Sequence, residues 1–133
     1  MANQLYPKAK EDFLSGNIDM TSDTIKIVLV DTGDYTFSSA HEDLADVPAA
    51  GRVSTATLSG KSVTSGVFDA TDAVFSNVTG DESEALIIYK DSGVEATSRL
   101  IAYIDTATGL PITPSGGDIT VAFSDGANKI FAL

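Results

Sequence analysis

His41 is the only histidine in the chain, so a nucleophile–imidazole–carboxylate arrangement would have to be assembled around it. Ser38 and Ser39 lie just ahead of it, yet no G-x-S-x-G elbow occurs anywhere. Its neighbours Glu42 and Asp43 place it in a stretch that reads as a short helical turn, where a histidine sits at the surface. "SGKS" (59–62) has the tail of a phosphate-binding loop, but Thr55 stands where that motif needs its first glycine. The segment "TLSGKSVT" reads instead as a hairpin turning at Gly60-Lys61.

Three acidic groups could ligate a cation or perform acid/base work: Asp31 with Asp34, Asp69 with Asp72, and Asp81 with Glu82 and Glu84. None follows the D-x-[DN]-x-[DN]-G pattern, and each falls near a strand end, where Asp serves turns by bonding its own backbone. A carbohydrate-binding or glycoside-acting domain would need convergent carboxylates, with Asp31, Asp34 and Asp105 as the candidates. Aromatic sugar platforms are few, with no Trp, four Tyr and six Phe. The "NVT" at 77–79 matches a glycosylation acceptor by chance. "GLPITPSGGDIT" (109–120) is glycine-rich but precedes a β-run, so it reads as a corner between strands and not as a phosphate cradle. These residues point to no enzyme, no metal and no cofactor.

The elements that would position such groups are mostly strands. At 133 residues the chain is long enough to bury one core. With no cysteine, a disulfide framework and a zinc-thiolate site are excluded. The start "MANQLYPKAKEDF" has no apolar signal core and no run reaches membrane-span length, so a soluble protein made in the cytoplasm, with no membrane partner, is expected. Nineteen acidic residues against eight basic ones give a net charge of −11. Phosphate neutralisation needs clustered Lys and Arg, so direct nucleic-acid binding is not expected.

"LYPKAKEDFLSG" reads as a short helix with Pro7 in its first turn, Gly16 as its left-handed cap, and Leu5, Ala9, Phe13 and Leu14 on one face. "TIKIVLVD" (24–31) is a buried strand, and "SSAHEDLADVP" (38–48), with Ser39 and Glu42 at capping-box spacing and Pro48 at its end, reads as one or two helical turns. Further strands are expected at 52–58, 61–63, 67–70, 73–77, 85–89, 98–105, 119–123 and 129–132. The strands around 86–89 and 100–104 are apolar on both faces, which requires two covering layers or a neighbouring subunit. The fold class is therefore mainly β: a single-domain antiparallel sandwich or small barrel with a short N-terminal helix and one internal helical turn. Residues 1–16 form an N-terminal helical arm and 24–133 the β core.

The whole chain resembles a family of small virion structural proteins of tailed bacteriophages. The resemblance rests on "LYPKAKEDFLSGNID", "IKIVLVDTGDYTFSSAHEDLADVPAAGRV", "TGDESEALIIYKDSG" and "SRLIAYIDTATGLPITPSGGDITVAFSDGANKIFAL". In similar proteins Phe123 is often Trp. What the resemblance implies is a non-enzymatic capsid decoration, or cement, protein. Such a protein would be trimeric, bind the major capsid protein on the outer surface of the head, and bridge capsomers. A tail or baseplate structural or adaptor protein is the alternative. As contact residues the reading nominates Tyr6, Lys8, Lys10 and Phe13 in the N-terminal segment, and the turn-region aromatics Tyr35 and Phe37.

Overall fold

The computed structural model describes residues 4–105, 110–123 and 130–132. It is mainly β, with antiparallel sheets, one α-helix and short 3₁₀ turns. The strands are β1 (Gln4–Leu5), β2 (Ile25–Val30), β3 (Arg52–Thr57), β4 (Ser62–Thr64), β5 (Val67–Asp69), β6 (Ala73–Phe75), β7 (Ala85–Lys90), β8 (Leu100–Ile104), β9 (Ile119–Val121) and β10 (Phe131–Ala132). The helix α1 spans Pro7–Leu14. A five-stranded sheet runs β1-β8-β7-β2-β3, beside a three-stranded sheet β10-β5-β4 and a pair β6-β9.

The large sheet explains its own sequence. Register sets Val28, Ile87 and Tyr103 side by side, and Ile27, Ile88 and Ala102 in the next row. Successive side chains on a strand point to opposite faces, so neighbouring rows bury opposite faces. Every residue of β8, and all of β7 except Lys90, is buried within this one chain. On one face Tyr35 and Phe37, from the excursion between β2 and β3, lay their rings 6.3 and 5.2 Å from that of Tyr103. On the other, Ala102 and Ile104 line a small cavity with Leu5, Ile130 and Phe131, which brings the three-stranded sheet over them. Phe131 stacks at 5.3 Å on Phe68 of β5. The expected sandwich-like single domain is thus observed, and its doubly apolar strands are covered without a second subunit.

α1 follows the sequence signals closely. Pro7 opens it, and at its end Gly16 N–H bonds the Phe13 carbonyl while Asn17 N–H bonds that of Asp12. That paired closure is a Schellman motif. The inward face differs from expectation: Ala9 and Asp12 are buried, whereas Leu14 is 91% exposed. Leu5 is not helical at all but pairs with Ala102 as part of β1. From Gln4 onward the N-terminal segment is docked on the sheet, with Tyr6 N–H bonded to the Ile101 carbonyl. The docking is electrostatic as well: Arg99 Nε donates to Asp12 Oδ2 at 2.6 Å, and its Nη1 lies 3.2 Å from Asp43 Oδ1.

Two local expectations are corrected. The helical turn forms within the expected 38–48 stretch, at Leu44–Asp46, but its capping box is Asp43 with Asp46 and not Ser39 with Glu42, because Leu44 and Val47 are the residues with apolar surface to bury. Asp43 is its N-cap, and Asp46 closes the capping box, its carboxylate accepting the N–H groups of Glu42 (2.8 Å) and Asp43 (3.3 Å). Gly60-Lys61 is not a hairpin turn: β3 pairs with β2, and β4 with β5. The chain crosses there from one sheet to another, and the true hairpin turns at Ser65-Gly66, both with positive φ. Gly60 is needed for a different reason. It has φ +60°, and a Cβ on it would stand 2.3 Å from Thr71 Oγ1, beside the Thr71 N–H to Ser59 carbonyl bond.

The Gly109–Thr120 stretch behaves as a corner over its described part. Ile112 makes one antiparallel bridge with Ser83, and Val78 exchanges backbone bonds with Gly116 and Gly117. β9 then pairs with β6.

Gly60→Ala is expected to destabilise the protein by about 1–3 kcal/mol, since it combines a strained φ with a steric clash. Urea denaturation checks this; a variant as stable as wild type would show that the crossover relaxes freely.

Candidate functional site

The residues nominated by sequence fall into two groups of opposite character. Tyr6 is fully buried and Tyr35 is 3% exposed, so neither offers surface to a partner. They form a polar thread through the core: Tyr6 Oη to Tyr35 Oη at 2.8 Å, then Tyr35 Oη to His41 Nδ1 at 2.8 Å. Phe37 is half-buried, its ring 5.0 Å from that of Tyr6. His41 thus ends a structural hydrogen-bond chain and stands beside the Tyr35 ring at 5.3 Å. Burial raises the pKa of Tyr6, Tyr35, Tyr89 and Tyr103 alike, with desolvation the leading cause in each.

Lys8, Lys10 and Phe13 do reach the outside of α1. Lys8 pairs with Glu11 at 2.8 Å, while Lys10 makes no ion pair among the described residues. Phe13, Lys10 and Leu14 line a groove of about 390 Å³ with Leu5 and Ala132. Phe13 also borders a larger groove of about 510 Å³, where Ile18, Met20, Val63, Phe68 and Phe131 make the wall mainly apolar. Phe13 lines both grooves, its ring 6.2 Å from that of Phe131 in the larger one. Leu14, in the wall of the smaller groove, is the most exposed large apolar side chain among the described residues. No protein-family model and no curated protein matches the chain.

The carboxylates regroup relative to expectation. Asp31 and Asp34 bring oxygens within 4.8 Å of Asp81, not of Asp105. Asp31 Oδ1 in that group already accepts the Gly33 N–H at 2.8 Å, and Asp34 and Asp81 are exposed. Asp105 belongs elsewhere, in a cavity with Thr32, Glu84, Tyr103, Leu110 and Pro111. Nothing in local spacing marks Glu84 and Tyr103 as partners, because they meet only through the β7–β8 pairing. Leu14 was legible as apolar, but its outward direction depends on where α1 docks.

The other described cations are used internally. Lys26 pairs with Asp91 (3.1 Å), Lys90 with Asp23 (3.2 Å) and Arg52 with Glu95 (2.5 Å), while Lys61 donates to the Asp23 carbonyl. Among the described residues no basic patch forms.

The tyrosines give a pH prediction with a definite sign. A phenol whose folded pKa exceeds the unfolded value of about 10 contributes stability that is present below that pH and lost above it. Tyrosinate absorbance should therefore lag behind that of free tyrosine on alkaline titration and then rise together with loss of circular dichroism. Independent ionisation of all four phenols near pH 10, with the fold intact, would contradict the buried thread.

Proposed function

We propose that the protein is a non-enzymatic structural component of a tailed-phage particle, working as a capsid decoration protein. It would sit on the outer surface of the head, associate as a trimer and bridge copies of the major capsid protein. The observation that supports this best is the apolar surface at α1. Leu14 stands 91% exposed in the wall of one groove, and Phe13 is shared between that groove and a larger one that includes Phe131. Contiguous exposed apolar surface of this kind marks interaction sites on soluble domains. The sequence resemblance to small virion proteins spans nearly the whole chain and points the same way.

Function then rests on area and repetition. A stable contact needs about 1,600 Å² of buried surface in total, and a symmetric shell multiplies each weak contact. The charge of −11 suits an external position, because such a protein is repelled by packaged DNA. A sandwich with its core closed inside one chain would transmit load between neighbours without unfolding.

Leu14→Glu tests the reading cleanly. Leu14 is solvated in the isolated chain, so folding stability should change by less than about 0.5 kcal/mol. Binding to expanded empty capsids should weaken roughly 10- to 100-fold, the loss of one buried leucine. Light scattering of the wild-type protein should give a mass above the monomer. A strict monomer with no affinity for capsids overturns the proposal, and unchanged binding by Leu14→Glu removes this surface from it.

A further inference from the structure

The apolar surface at α1 carries a charge of unusual sign for this molecule. Lys10 lies one helical turn before Leu14, so the two side chains stand together on the outside of α1. Glu11, also about a turn before Leu14, is neutralised by Lys8 at 2.8 Å. The other described cations all have partners: Lys26, Lys90, Arg52 and Arg99 in ion pairs, and Lys61 on the Asp23 carbonyl. Lys10 has none among the described residues. A chain of net charge −11 thus sets an uncommitted cation beside the most exposed large apolar side chain described.

The complementary surface is on the same chain. Val74 of β6 is 51% exposed, although Ala73 and Phe75 on either side of it are buried. Side chains alternate along a strand, so exposed Asp72 shares the outward face with Val74, as does Thr120, its partner on β9. Asp118, two residues before Thr120, is exposed as well. Asp72 and Asp118 each accept one backbone N–H, from Phe123 and Asn77, and neither forms an ion pair among the described residues. The other exposed valines lack this pairing. Val94 lies between Asp91 and Glu95, whose carboxylates hold Lys26 and Arg52, and Val63 lies between Ser62 and Thr64.

We infer that the Lys10–Leu14 face of α1 in one copy docks on the β6–β9 face of the next. Leu14 lies against Val74, and Lys10 reaches the carboxylates of Asp72 and Asp118. Like-charged copies repel overall, so a contact between them must bring local opposites together, and this pairing of faces does so. The two faces belong to opposite edges of the large sheet. α1 packs on β8, next to the outer strand β1, and β6 packs by β3, the other outer strand. Those outer strands are four strand spacings apart, about 19 Å. Each copy therefore engages two neighbours head to tail, the arrangement that closes a ring. A ring of three is the trimer proposed above, so the inference rests on that self-association and names its surfaces. Weaker capsid binding by Leu14→Glu then acts through lost avidity.

Sedimentation equilibrium on the full chain tests this with a charge swap. Lys10→Glu and Thr120→Lys change exposed side chains, so circular dichroism and thermal unfolding should stay close to wild type. Wild type should sediment as a trimer. Each single variant sets like charges face to face and should weaken association about tenfold or more. The double variant restores opposite charges and should recover most of the loss. Val94→Glu, a new charge on an exposed valine outside both faces, should leave association unchanged. The inference is overturned by association that ignores both single variants, by a double variant weaker than either single one, or by a species that stops at the dimer. A monomer that still binds empty capsids overturns it while leaving the decoration reading standing. A ring that dissociates as expected yet ignores capsids upholds it and overturns that reading.

Discussion

Everything in this molecule answers to one constraint: the β2-β7-β8 centre of the large sheet is apolar on both faces. A half-polar sheet could leave one side to water, but rows such as Val28-Ile87-Tyr103 and Ile27-Ile88-Ala102 cannot. The chain must supply two covers. It spends the excursion between β2 and β3 on one, and the small sheet with β10 on the other. α1 closes the end of the sheet, tied to β8 through Tyr6 and Arg99. The peripheral elements are short because their task is to cover.

Covers made of loops carry little secondary structure of their own, so polar clamps hold them. Arg99 joins Asp12 of α1 to Asp43 of the excursion. Arg52 reaches the same excursion from β3, donating to the carbonyls of Val47 (2.9 Å) and Leu44 (3.0 Å) while its Nη1 meets Glu95. A guanidinium suits this role because its planar fork presents several donors at once. Few basic residues are then left to face outward, so the molecule's exterior is dominated by carboxylate.

How much of this was legible in the sequence followed from the range of each interaction. The strand runs of β2, β7 and β8 announce themselves through β-branched apolar patterning. The limits of α1 follow from Pro7 and Gly16, signals that act within a turn of the chain. The internal turn lay within the stretch expected of it, but its cap moved from Ser39 to Asp43 because capping spacing competed with burial of Leu44 and Val47, and burial won. Gly60 looked like a hairpin because a turn signal says nothing about which strand comes next to which. The same blindness applied to the sites. Tyr6 and Tyr35 have the chemistry of contact residues but meet each other in the core, whereas Glu84 and Tyr103 share a cavity although nineteen positions separate them. Long-range pairing decides such meetings, and a single sequence does not encode it in any local pattern.

The β4–β5 hairpin has a use in engineering. Its tip, Ser65-Gly66, is exposed, and β4 is an outer strand whose three residues all face solvent. A foreign peptide spliced at that tip would lengthen the turn while leaving the Ser62–Asp69 and Val63–Phe68 pairs in register, and it would draw nothing out of the core. The fold thus offers a place to carry cargo sequence at the rim of the groove that Val63 and Gly66 share with Phe13 of α1.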